Sequence, residues 1–372
     1  MTNKPYRVLC LDGGGIRGLY TATVLQQMAV RVARLSGKTP EERLDLGANF
    51  DLIVGTSTGS ILAIALAAGV ALEDVSRLYR EKAASIFQRP MPLQDGCFRT
   101  KLRTLGWVLH NLFSPANESA PLRSALQTVL KEETLEQMYR RRNIALCVPT
   151  IDAASQRAWV FKTPHGTRLT RDNNYKLIDV CMASAAAPVF FPMHVIRSPN
   201  PGVSAPHLFV DGGLWGNNPA LVGLVEALEF AAPEQKIEIL SVGTCAGNKA
   251  KTLNAADAPR GSWQWRGGSD IVTLSLESQA SVYPYLASKL VQAMSGRVTL
   301  HRLIEPHVSG EESKHLALDA NDQKSLDVLE MLGQRATDLN MSALTNSPQS
   351  SNECAMVLDM FSNLNQLRGD KQ

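Results

Sequence analysis

Residues 50–69 read FDLIVGTSTGSILAIALAAG. A short apolar run enters a G-x-S-x-G at Gly55–Gly59 and leaves it through an alanine-rich apolar segment that stops at Gly69. Strand, tight turn and helix in that order form the setting of a nucleophile elbow. The turn lifts a serine above the sheet. Glycines on both sides relieve crowding, and the helix N-terminus favours negative charge developing beside the hydroxyl. Ser57 is therefore read as a nucleophile rather than as part of an ordinary glycine-rich turn.

Outward toward the N-terminus, YRVLCLD (6–12) reads as a buried strand running into GGGIRG (13–18). Helical periodicity then carries Leu19, Val24, Leu25, Met28 and Val32. The glycines at 13, 15 and 18 spell G-x-G-x-x-G, but a dinucleotide site needs a strand-borne acid about 20 residues on. That distance lands in the polar loop GKTPEER. A phosphate loop would need G-K-[ST], which is missing. Backbone N–H groups with no Cβ in the way suit an oxyanion hole instead, so Gly13, Gly14 and Gly15 are its expected donors.

Toward the C-terminus, NIALCVPTID and AWVFKT read as strands. LIDVCMASAAAP reads as a helix, and HLFVDGG and EILSVGT as further strands. The alternation predicts an α/β fold with a mostly parallel sheet. FVDGG (209–213) delivers Asp211 from a strand into a glycine turn. The residues alone favour a turn or capping aspartate over a base, since Asp-Gly turns are common.

DGGGIRG, GTSTG and DGG, in this order, resemble the three signatures of the patatin-like phospholipases. FKTPHG (161–166) and ASAAAPVFFP (183–192) resemble segments between the second and third. The resemblance covers roughly residues 6–245. It implies a three-layer α/β/α sandwich and ester hydrolysis of membrane phospholipids by a Ser–Asp dyad: Ser57 as nucleophile, Asp211 as base. It also implies an oxyanion hole at Gly13, Gly14 and Gly15, and Arg17 as the motif's arginine, shaping the loop and facing anionic head groups. No cofactor or metal is called for. The chain also resembles the bacterial patatin-like effectors of cyclic-oligonucleotide antiphage signalling, which implies a cyclic dinucleotide activator such as cyclic GMP–AMP.

Two rival readings stay open. One is a Ser-His-Asp esterase with His301, His307 or His315 as base. The other is a non-catalytic binding module on the same fold, against which an intact Ser57 and Asp211 argue.

The 372 residues suffice for a large core without disulfides or metals. A net charge of +3 gives no electrostatic reason to bind a nucleic acid polymer. The six cysteines show no C-x-x-C or zinc spacing, and several lie in apolar runs, so they read as reduced thiols of a cytoplasmic protein. The N-terminus has no signal-peptide pattern, and SILAIALAAGVAL is too short to span a bilayer. Membrane contact is thus expected to be peripheral, at the inner face. Monomer and homo-oligomer are both compatible with the sequence.

Residues 85–120 read as an insertion holding one amphipathic helix, with Leu102, Leu105, Leu109 and Leu112 on its apolar face and Trp107 and Phe113 nearby. Either a lid packed on the body or a lipid-docking element fits it. RRR (140–142) reads as a solvated face. RGSWQWRGG (260–268) reads as a loop, with stacking of a nucleobase or a sugar on its tryptophans as the alternative. The catalytic domain is set at 1–345. A polar stretch after about 345 is expected to be loose before a last short helix, within a tail of 346–372.

Overall fold

The computed structural model describes residues 4–37, 43–92, 98–199, 205–246, 255–294, 296–346 and 352–367. Its strands are β1 (Tyr6–Leu11), β2 (Leu52–Gly55), β3 (Ala145–Asp152), β4 (Arg157–Lys162), β5 (His194–Arg197), β6 (Pro206–Asp211), β7 (Ile237–Val242) and β8 (Val298–Arg302). They form one sheet in the order β5-β6-β3-β2-β1-β7-β8, with β4 also paired to β3.

Side chains alternate across this sheet with period two. Leu9, Leu11 and Ile53 enter one core with the helices Gly18–Leu35, Thr58–Ala68 and Gln323–Asn346. Val8, Cys10 and Val54 enter a second core on the opposite face with the helix Ala220–Phe230. Both faces are covered, which explains why β1 and β2 read as continuous apolar runs. The expected three layers are present. The sheet is mixed: β1, β2, β3, β7 and β8 pair in parallel, whereas β4, β5 and β6 join antiparallel.

The registers around β3 place the centre of the molecule's chemistry. β4 runs along one edge of β3, from Cys147 to Asp152. β2 and β6 share the other edge. β2 pairs parallel with 145–147, and β6 pairs antiparallel with 150–152. Their C-terminal ends therefore meet head to head beside Val148 and Pro149. The Pro149 carbonyl points into that gap and accepts the Ser184 hydroxyl at 2.7 Å. A proline is tolerated there because no ladder partner faces its missing N–H.

Three expectations are corrected. RRR is not simply a solvated face: Arg141 and Arg142 donate to the Ala68 and Ala67 carbonyls at the C-terminus of the helix Thr58–Ala68, and Arg142 pairs with Asp45. The boundary at 345 falls inside the helix Gln323–Asn346. The stretch 347–351 lies outside the described residues, but the helix beyond it, Asn352–Met360, belongs to the body. Met356, Val357, Met360 and Phe361 are buried in the main core, because their apolar spacing gives that helix an inward face. Finally, the insertion helix forms at Phe98–Asn111, but it buries Trp107 and Val108 and leaves its leucine stripe outside. Cys97 lies outside the described residues. Cys10, Cys147, Cys181 and Cys245 are buried thiols.

Candidate active site

Ser57 sits between β2 and the helix Thr58–Ala68 with φ 54° and ψ −124°, a conformation that L-residues rarely hold. Such a backbone persists only where its surroundings fix it. Here the Ser57 N–H donates to Ser184 Oγ at 2.9 Å, and the Ser57 carbonyl accepts the Ser60 hydroxyl at 2.6 Å. The turn closes tightly enough that a Cβ on Gly59 would run into the carbonyl oxygens of Leu11 and Asp12. Ser184 thus joins the serine turn to the Pro149 carbonyl across the strand gap. It is a positioning residue inside the ASAAAPVFFP segment, to which the sequence alone assigns no role.

Asp211 ends β6 on the other side of the gap. The Ser57 hydroxyl donates to its Oδ2 at 2.6 Å, and the Gly213 N–H donates to its Oδ1 at 2.6 Å. The carboxyl is 3% exposed. Burial pushes its pKa up to about 6, against the opposing pull of the Ser57 and Gly213 hydrogen bonds. A carboxylate with that pKa is a closer match to a hydroxyl proton near neutrality than an ordinary aspartate.

The loop after β1 faces both groups. Gly15 has φ +58°, and a Cβ there would strike the Leu318 carbonyl, so glycine is required. Gly14 and Gly15 line the cleft above Ser57. Gly13 departs from the expectation: its N–H donates to the Asn217 carbonyl at 2.9 Å and cannot serve an oxyanion. Arg17 departs in part. Its guanidinium holds the loop through the Gly14 and Ala246 carbonyls and pairs with Glu277 at 2.8 Å. At 1% exposure it has no route to a lipid head group.

The cleft opens to solvent, and the empty space in and above it amounts to about 600 Å³. Ser57 and Asp211 lie at its polar end. Ile61, Ile86, Phe87, Leu122, Phe190, Phe191 and Leu276 make an apolar wall. An acyl chain fits such a lining, because apolar surface leaves water on binding.

Among the described residues, no histidine lines this cleft or bonds Ser57. His301 faces Glu353, His315 faces Ser325, and the His307 carbonyl accepts Arg335. The geometry gives the triad reading no base. Of the tryptophans in 260–268, Trp263 is half exposed, and the Arg260 guanidinium lies 5.4 Å from the Trp265 ring centre. Arg266 pairs with Asp270, so it is not available as an open cation.

No helix among the described residues is long and apolar enough to cross a membrane. A sequence model described as Patatin-like phospholipase matches residues 9–224. The chain is 36% identical to a cGAMP-activated phospholipase of Pseudomonas aeruginosa, over 75% of this chain and 74% of that one. It is 28% identical to a cGAMP-activated phospholipase of Escherichia coli over 91% and 90% of the two chains. With one from Vibrio cholerae it shares 34% identity over 64% of each. The chain belongs to the patatin-like phospholipase family, and it is a lipid-hydrolysing enzyme.

Proposed function

We propose that Ser57 and Asp211 form the catalytic dyad of this enzyme, and that a cyclic dinucleotide switches it on. The observation that carries the first part is the 2.6 Å hydrogen bond from the Ser57 hydroxyl to a buried carboxylate at the polar end of an apolar cleft. Ser57 Oγ attacks the ester carbonyl carbon while its proton passes to Asp211 Oδ2. The oxyanion is held by the N–H groups of Gly14, Gly15 and Thr58, the last being the first residue of the helix. Collapse breaks the bond to the glycerol oxygen, and Asp211 returns the proton to that leaving group. Water then attacks the acyl-Ser57 carbonyl, giving its proton to Asp211. Free fatty acid departs, and the proton goes back to Ser57.

Asp211 must be ionised to accept the proton. The fraction ionised rises with pH through about 6, so kcat/KM should climb across that pH, about two units higher than an ordinary aspartate would allow. The measurement is a pH–rate profile on a soluble short-chain ester. An acid limb near 4 would remove Asp211 from the base role.

Support for the switch comes from the relatives, three of which are named cGAMP-activated phospholipases. A phospholipase acting from the cytoplasmic side would damage its own cell's membrane unless held off. This fits the antiphage role that the resemblance to signalling effectors implies. An activator must bind the active state better than the resting one, and about 5.5 kcal/mol of preference carries a population from 1:99 to 99:1. Fatty acid release from phospholipid vesicles, with and without a panel of cyclic dinucleotides, tests both parts. The expected result is low basal release that rises sharply with cyclic GMP–AMP. Equal release under every condition would leave a constitutive phospholipase.

A further inference from the structure

The helix Phe98–Asn111 turns the wrong side inward for a simple lid. Trp107 and Val108 are buried, with the Trp107 indole donating to the Arg89 carbonyl at 3.0 Å. Leu102, Leu105, Leu109 and Leu112 form a stripe at helical spacing, and all four are exposed, as are Phe98 and Phe113. Exposed apolar residues scattered singly need no explanation, but a continuous stripe does.

The helix that carries this stripe packs against the cleft wall. Trp107 packs on Phe190, ring centres 6.4 Å apart, and Phe190 is part of the cleft wall. The turn at Gly267 lies against Val108 and leads into the helix Ser269–Ala293. That helix gives Leu276 to the cleft while Ile271 and Leu274 stay exposed. Apolar side chains therefore reach solvent on two helices, one packed on the cleft wall and one contributing to it.

The charge on the insertion helix selects what covers it. Between Gly96 and Asn117 the sequence holds no Asp or Glu. Arg99, Lys101 and Arg103 are exposed and make no ion pair with any described residue. A second copy docked isologously would bring two such cationic stretches together. An anionic lipid surface instead takes the leucines into its acyl boundary and the cations at its head groups.

We propose that the outward faces of the helix Phe98–Asn111 and of the first turns of Ser269–Ala293 seat the protein on an anionic phospholipid bilayer, setting the cleft mouth against its substrate. The inference deepens the membrane-phospholipid reading and rests on it. Lipid binding and catalysis are nevertheless separable in the test.

Binding is measured by co-sedimentation of full-length Ser57→Ala protein, which leaves the vesicles intact. Phosphatidylcholine vesicles containing phosphatidylglycerol are compared with pure phosphatidylcholine, with and without cyclic GMP–AMP. L102E/L109E should weaken binding to the anionic vesicles by about tenfold or more. R99E/K101E/R103E should erase the preference for anionic lipid. With Ser57 restored, both variants should hydrolyse a soluble short-chain ester as the parent does and lose vesicle hydrolysis. Unchanged vesicle binding would overturn the proposal. So would a parallel loss of soluble-ester turnover, which would make the helix a structural part of the site. A dimer that L102E/L109E splits, without any change in vesicle binding, would assign the face to a second copy. If the parent binds vesicles but cleaves no ester at all, the hydrolase reading fails and the docking surface stands.

Discussion

Ser57→Ala should reduce ester hydrolysis by a factor on the order of 10⁴–10⁶, the range seen when other hydrolytic nucleophiles are deleted. Removing one oxygen loses the covalent route altogether, and no neighbouring hydroxyl replaces it. Ser184 and Ser60 are nearby, but their hydroxyls are spent on the Pro149 and Ser57 carbonyls. The fold should survive, since alanine keeps the Cβ and the turn is held by backbone bonds to the Ser57 N–H and carbonyl. Turnover of a soluble ester, together with labelling by a fluorophosphonate, checks this. The parent should be labelled at Ser57 and the variant left unlabelled. Activity retained in the variant would place the nucleophile elsewhere, and an unlabelled parent would favour a binding module.

Asp211→Asn should cost nearly as much activity as losing the serine, because the two groups act as one unit. The amide can still accept the Gly213 N–H through its oxygen, but it has no basicity. Stability should move the opposite way. A carboxyl whose folded pKa is raised to about 6 is favoured in the fold while protonated, so its contribution is fully present below its unfolded value and is lost as pH rises through 6. At pH 8 the ionised, buried group costs roughly 3 kcal/mol, from about two pKa units at 1.36 kcal/mol each. Asp211→Asn should therefore raise the thermal midpoint at pH 8 and change it little at pH 4. Equal midpoints at pH 8 would mean that the carboxylate is not strained by burial. A late-histidine variant that lost activity while Asp211→Asn kept it would restore the triad.

Much of this was legible in the chain because it is local. The apolar run before Gly55, the glycines around Ser57 and the helix behind them form one contiguous segment whose geometry follows from its own residues. The same holds for β6 running into the Asp211 turn. What escaped was set by distant neighbours. Gly13 looks like its two companions, yet its N–H is claimed by Asn217, over 200 positions away. Ser184 lies in a segment that resembles the family, but its role shows only when β3 brings the Pro149 carbonyl to it. Periodicity placed a stripe of leucines on the insertion helix, but periodicity is silent on whether such a stripe meets protein or solvent. The short edge strand β5 and the long helix Ser269–Ala293, which runs on through Pro284, carry no strong local signal.

The head-to-head meeting of β2 and β6 also bears on how the molecule is made. Ser57 and Asp211 are separated by 154 positions. They meet only once β3 has collected β2 on one half of its edge and β6 on the other. Pairings between such remote segments carry a large loop-closure cost and form late. A ribosome-bound chain that has emerged only as far as β3 already displays the serine turn but has no carboxylate opposite it. For a lipid-hydrolysing enzyme, dividing the proposed dyad between remote strands separates its two halves in time during synthesis. The two groups are brought together only when β6 docks on β3, and a product truncated before β6 lacks Asp211 altogether.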